Sequence, residues 1–233
     1  MKRLILLMTI GCMLPGVASA DYIDLPVKWR QTPYDVNPPG VCISNHLFGH
    51  VCADDFLCED EDPIVAVRWW GMWWNTEEVR PTGTVTADIS FHLSTGDHPT
   101  SLPAERVALY EVTAQEEWTG TLVWGEYPIY RYDAYLPEEF DQFTYSQDSP
   151  NRGELFIDIC IPDPDVMWAW VPVAQPGPIQ DWAAFGDSHD GPWVSLSYEQ
   201  FDMAFELMTP EPATMALLGL GLAGLAAKRR RKR

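Results

Sequence analysis

Four tryptophans within six residues, Trp69, Trp70, Trp73 and Trp74, give the 233-residue chain its densest aromatic cluster. Indole faces stack on the apolar C–H faces of pyranose rings, so a platform of exposed tryptophans is one way to grip a polysaccharide. Trp69 and Trp70 are neighbours, and on a strand one of the two must face a core. That leaves Trp70, Trp73 and Trp74 as the candidate carbohydrate-binding set. The competing assignment packs the same rings into a core, where large aromatics usually lie.

Carboxylates crowd just ahead of this cluster. Asp54, Asp55, Asp60 and Asp62, with Glu59 between them, offer the oxygen donors a hard cation needs, and they are the candidate calcium set. Asp187-Ser188-His189-Asp190-Gly191 has the composition of a one-turn ion loop. Neither stretch has the spacing of an EF-hand loop, and Asp and Gly are equally the residues of ordinary turns. His46 and His50 suggest zinc, but two histidines leave a tetrahedral site incomplete, and Asp54 would have to help if the cysteines are oxidised. No catalytic residue is assigned. Ser188, His189 and Asp190 are adjacent on a turn, where they point apart instead of forming a relay. A glycosidase needs only two carboxylates several ångströms apart in space, so a polysaccharide-active enzyme, or its binding module, is the alternative reading.

The elements that would position these residues are strands. Thr84 to Leu93 alternates Val85, Ala87, Ile89, Phe91 and Leu93 against Thr84, Thr86, Asp88, Ser90 and His92, which predicts a half-buried strand with a polar outer face. Glu154–Ile161 and Phe201–Met208 alternate in the same way. Further candidates are Ile64–Trp70, Arg106–Val112, Gly120–Trp124, Tyr127–Tyr135, Met167–Val173 and Trp193–Tyr198, separated by Pro, Gly and Asp clusters. No apolar stripe of helical period runs for three turns between residues 21 and 209. The prediction is an all-β domain, an antiparallel β-sandwich of jelly-roll or immunoglobulin-like form.

Both ends of the chain read as targeting segments. Lys2 and Arg3, an apolar run from Leu4 to Leu14 and Ala18-Ser19-Ala20 have the layout of a secretory signal peptide over residues 1–20. At the other end, Pro210-Glu211-Pro212 is followed by an uncharged run from Ala213 to Ala227 and by six consecutive cations, Lys228 to Arg233. As a helix that run spans roughly 22 Å, short of the roughly 30 Å hydrocarbon core, so it crosses only by thinning the bilayer. The cations stay on the cytoplasmic side, which leaves the body of the chain outside.

Between Asp21 and Thr209 seven cations face thirty-three acids, a net charge of −26. A surface of that sign repels nucleic acid and anionic lipid. Four cysteines, Cys42, Cys52, Cys58 and Cys160, are an even number in an exported body, which predicts two disulfides. Of the three possible pairings, Cys42 with Cys52 and Cys58 with Cys160 is the one favoured here, since the second bridge closes a long loop.

The tripeptide, short Gly-rich helix and basic tail over residues 210–233 resemble the PEP-CTERM sorting signal of Gram-negative bacteria. That resemblance implies recognition of Pro210, Glu211 and Pro212 by an exosortase, a membrane transpeptidase that removes the tail. The order Ala53-Asp54-Asp55-Phe56-Leu57-Cys58, a Pro63-led strand and Trp69-Trp70-Gly71 resembles an uncharacterised extracellular β-domain found in such proteins, which implies fold and location. The expected product is an exported protein, anchored in the inner membrane until cleavage and then at the cell surface or in the matrix. There it is expected to act as a non-catalytic binding or structural module associated with exopolysaccharide, with no cofactor assigned and calcium as the one candidate.

Overall fold

The computed structural model describes residues 23–33, 38, 40–57, 61–74, 83–96, 101–147, 153–173, 182–196 and 202–211. The signal-peptide segment, Cys58, Glu59, Asp60 and residues 212–233 lie outside that set. Among the described residues no helix is long and apolar enough to cross a membrane.

Twelve strands form one antiparallel sheet: β1 (Val27–Gln31), β2 (Cys42–Ile43), β3 (Val51–Leu57), β4 (Ile64–Trp73), β5 (Gly83–Ser94), β6 (Pro103–Val123), β7 (Tyr127–Phe140), β8 (Glu154–Cys160), β9 (Trp168–Trp170), β10 (Ala184–Gly186), β11 (Trp193–Ser195) and β12 (Phe205–Met208). The only helices are the five-residue α1 (Gln142–Ser146) and a 3-10 turn over His46–Phe48, counted among the described residues. The hydrogen-bonded order is β1-β12-β4-β7-β6-β5-β8-β3-β10-β11, with β9 on β4 and β2 on β9.

The all-β, antiparallel expectation holds, but the sandwich does not. A single sheet curls on itself as a half-barrel instead of two sheets stacking face to face. Either arrangement buries every second residue, so alternation cannot separate them. The long strands and their irregularities do. β6 runs for 21 residues, absorbing Arg106–Val112 and Gly120–Trp124 except for Trp124 itself, and the register shifts within β4–β7, β5–β6 and β6–β7. Such bulges bend a strand and increase its twist, which lets one long sheet wrap around its own core.

The concave face holds Trp69, Trp73, Ile89, Phe91, Tyr132, Ile157, Trp168, Trp170 and Phe205, packed as one cluster. Phe91 and Phe140 stack at 4.0 Å between centroids, and Trp69 stacks on Tyr132 at 5.5 Å. Gly71 lies on this face, where an added Cβ would stand inside the Trp168 indole. The glycine of the Trp-Trp-Gly run is therefore set by the packing of another strand's tryptophan.

A row of charges crosses β1, β12, β4 and β7 in register: Arg30 beside Glu206, Glu206 beside Arg68, Arg68 beside Asp133. Arg68 donates to Asp133 Oδ1 at 2.6 Å, to Glu206 Oε2 at 3.0 Å and to the Ile23 carbonyl at 2.9 Å. Arg131 joins the same Asp133 at 2.9 Å and Glu117 at 2.7 Å. Cross-strand neighbours of opposite sign stabilise a sheet, and here they bind four strands together.

Candidate functional site

Three groups of side chains have the chemistry of a site. The first is aromatic. β4 sends alternate residues to opposite faces, so Trp69 and Trp73 enter the concave core while Trp70 and Trp74 turn to the other side. Trp73 is therefore a core residue, not the surface residue expected. It is 2% exposed, and its indole N–H donates to Glu116 Oε1 at 2.7 Å, which Tyr132 Oη–H also reaches at 2.9 Å.

Trp70 and Trp74 remain partly exposed. Trp74 lies parallel to Tyr127 at 5.8 Å and meets Trp124 edge-on at 6.3 Å. Trp124 stands at the tip of the β6–β7 hairpin, followed by Gly125, with φ of 51° and 76° at the two positions. Positive φ at both central residues is the geometry of a tight hairpin turn, but a tryptophan there is an outlier. Its indole N–H is held by the Pro38 carbonyl at 3.1 Å. The sequence gives no periodic hint of Trp124 or Tyr127 beside Trp74; the hairpin folds them there.

The second group is acidic. Asp54, Asp55 and Asp202, all buried, bring one carboxylate oxygen each to within 4.8 Å of one another. Asp54 Oδ2 accepts from the Met203 backbone N–H at 2.7 Å and from the Gln31 side-chain amide at 2.9 Å, while Oδ1 accepts no hydrogen bond. Burial first, then the carboxylates of Asp202 and Asp55, push the Asp54 carboxyl well above its ordinary range. Of the expected calcium set, Asp54 and Asp55 come together, whereas Asp62 lies exposed and outside this group, its carbonyl taking Lys28 and Gln142. Asp60 lies outside the described residues. Asp202 was not among the expected ligands, and 147 positions separate it from Asp55.

The third group was not expected as a unit. On β5 and β8 the registered pairs Asp88–Cys160 and Ser90–Asp158 share the face opposite the core, as does His92. The polar edge of the Thr84–Leu93 alternation was expected in solvent. Instead Ser90 and His92 are fully buried, and the Trp193 ring packs edge-on against His92 at 5.5 Å.

His189, in the turn between β10 and β11, donates from Nδ1 to Asp158 Oδ1 at 2.6 Å; His92 Nε2 meets the other Asp158 oxygen at 2.6 Å. Burial alone favours a neutral His189, but Asp158 and Asp88 outweigh it and raise its pKa to about 9. The same two histidines hold Asp158 below its ordinary range against its burial. His46, from the 3-10 turn, places Nδ1 at 3.3 Å from Asp88 Oδ2, and its backbone N–H donates to Cys160 Sγ at 3.0 Å.

The cysteines answer half of the pairing expectation. Cys42 and Cys52 are joined, with Cα atoms 6.1 Å apart. Cys160 is a free, buried thiol, which removes the expected Cys58–Cys160 bridge, Cys58 itself being outside the described residues. Burial pushes that thiol upward in pKa. His50, the other histidine of the zinc reading, packs against Phe185 at 5.3 Å and is not part of the His46 group.

Comparison with known families places this architecture. A family model described as a domain of unknown function, DUF7901, matches residues 27–208. The chain belongs to this family. A second model, the PEP-CTERM protein-sorting motif, matches residues 209–231. The DUF7901 match thus ends at Met208, the last residue of β12, and the sorting motif follows at once. No curated protein and no solved structure matches the chain. The PEP-CTERM motif marks the protein as exported, exosortase-sorted and destined for the cell surface or exterior.

Proposed function

We propose that this DUF7901 protein is a non-catalytic module that binds exopolysaccharide after exosortase processing, using the rings of Trp70, Trp74, Trp124 and Tyr127. The observation that carries the reading is the hairpin tip: Trp124 is held at positive φ and 37% exposed, edge-on to the stacked Trp74–Tyr127 pair. A bulky residue in that conformation persists only where its surroundings over-determine it, and such positions cluster at binding sites. Stacked aromatics at a surface supply flat apolar area with little rotamer entropy to lose, which suits the face of a sugar ring.

Calcium is the cofactor part of the proposal. Asp54, Asp55 and Asp202 are its candidate ligands, and the bare Asp54 Oδ1 supports that choice. Bound calcium would neutralise buried charge and hold the loop before β12 against β3; it would not touch the sugar.

The test is retention of the purified protein on a panel of neutral and acidic polysaccharides, with calcium and with chelator. Trp74→Ala and Trp124→Ala should each abolish retention while leaving the circular dichroism spectrum intact, and Trp73→Phe should retain binding. Failure of the folded wild type to bind any polymer sinks the proposal. Equal melting temperatures in calcium and chelator sink the calcium part alone.

A further inference from the structure

We propose that His46, Cys160 and His189, with Asp88 as fourth donor, form a binding site for a zinc-type divalent cation, independent of the aromatic surface. His46, Cys160 and His189 each offer a ligand atom, and the three atoms lie within 4.8 Å of one another. Asp88 Oδ2 adds an oxygen 3.3 Å from His46 Nδ1 and 3.8 Å from His189 Nε2. A tetrahedral zinc with nitrogen and oxygen ligands at about 2.0–2.1 Å and sulfur at about 2.3 Å holds its donors roughly 3.3–3.6 Å apart. His46, Cys160 and His189 would draw inward from their wider spacing to close on one ion, and Asp88 would complete the set from the side of the two histidines.

The free atoms are the ones a metal needs. His189 is 9% exposed, and its buried Nε2 makes no hydrogen bond; His46 Nδ1 is likewise buried and makes none. His189 Nδ1 is spent on Asp158, which leaves Nε2 as the ring atom facing Asp88 and the cluster, where a metal would take the place of its proton. A carboxylate behind a ligating histidine is the usual second layer of such a site, orienting the ring and raising its basicity. Asp158 is fixed in turn by His92. Cys160 Sγ accepts the His46 backbone N–H, a bond that favours the thiolate a metal requires. Two nitrogens, one sulfur and one carboxylate oxygen form a borderline-soft set that suits zinc and not calcium or magnesium. With four protein donors the site would be closed and structural. It would clip the 3-10 turn, β5, β8 and the β10–β11 turn to one another, and it would protect a lone thiol in an oxidising compartment.

Cobalt(II) is the probe. The full chain, made with its own targeting segments and solubilised in detergent under mild reductant, should take up one equivalent of Co²⁺. A thiolate-to-cobalt charge-transfer band should appear, which Zn²⁺ bleaches. Cys160→Ser should remove the band, and Asp158→Asn, a positioning change, should weaken uptake by about 10–100-fold while keeping the band. If Cys160→Ser fails to fold, His46→Gln decides, since the His46 side chain is 30% exposed and can be lost without opening the core. It should weaken uptake by at least about tenfold. A folded wild type that takes up no cobalt overturns the proposal. So does a band that persists in Cys160→Ser, uptake unchanged in His46→Gln, or peptide mapping of the exported protein that finds Cys160 in a disulfide.

Discussion

Arg68 shows how much one side chain can organise. It is a single cation in the apolar run from Ile64 to Trp74, and its guanidinium serves two carboxylates and a carbonyl while only 15% of the side chain is exposed. Asp133 and Glu206 are each 6% exposed, so removing the cation strands them in a poorly solvated strip. Arg68→Met should destabilise the domain by about 3 kcal/mol, read from urea unfolding, because breaking a buried pair leaves charge uncompensated. Arg68→Lys should recover only part of that, since an ammonium cannot fork between two carboxylates. Residue-scale chemistry was only partly legible in the sequence. Trp70 and Trp74 do share one side of the sheet, while Trp73 lies in the core, because the alternation of a strand continues through Trp73. His46, Asp88, Cys160 and His189 went unassembled for a different reason. Assuming every exported cysteine oxidised took the thiol out of consideration, and long sequence separations hid the rest.

At the scale of elements, Gly71 is the most exacting position. Its missing Cβ is the space in which the Trp168 indole of β9 lies, and that ring is a rigid core member with nowhere to retreat. Gly71→Ala should cost about 1–3 kcal/mol, the range for overpacking, and lower the melting temperature without changing the secondary structure. Helix α1 depends on its cap. Asp141 accepts from the Thr144 backbone N–H at 3.2 Å and from its hydroxyl at 2.7 Å, and these bonds lower its carboxyl pKa. A depressed carboxylate stabilises the fold above its unfolded pKa, near 4, and that contribution is lost as pH falls through the lower folded value. An Asp141→Asn protein should therefore lose less stability than wild type between about pH 5 and pH 2 in thermal melts. Strands were the most legible elements. β5, β8 and β12 were read from clean alternation, whereas β3 was missed because Asp54 and Asp55 look like a loop and lie inside a buried strand. Both faces of that strand are buried, and its carboxylates are buried at a cost in free energy, so no hydropathy pattern marks it. The 3-10 turn and the short β2 and β10 carry too few residues to show a period at all, whereas Trp193–Tyr198 took in β11.

For the whole molecule, the body's net charge of −26 leaves few cations to spare, and three of its seven, Arg30, Arg68 and Arg131, lie in the ladder across β1, β12, β4 and β7. Raised salt should therefore act in two ways: it relieves repulsion over the acidic exterior and barely weakens the sheltered Arg68 contacts. Melting temperature should rise between low and physiological ionic strength, and a fall would show that exposed pairs dominate. Replacing Pro210-Glu211-Pro212 with three alanines should leave the exported protein uncut by exosortase, seen as a retained C-terminal epitope on immunoblots. Exosortase processing within the motif at residues 209–231 would leave the new end close to β12, and β12 is bonded on one side to β1 and on the other to β4. Whatever holds that end, a pull directed along β12 meets the rungs of both neighbours simultaneously, loaded in shear, and cannot unzip them one by one. An attachment made at that end would therefore meet the sheet where it best resists being torn away by flow.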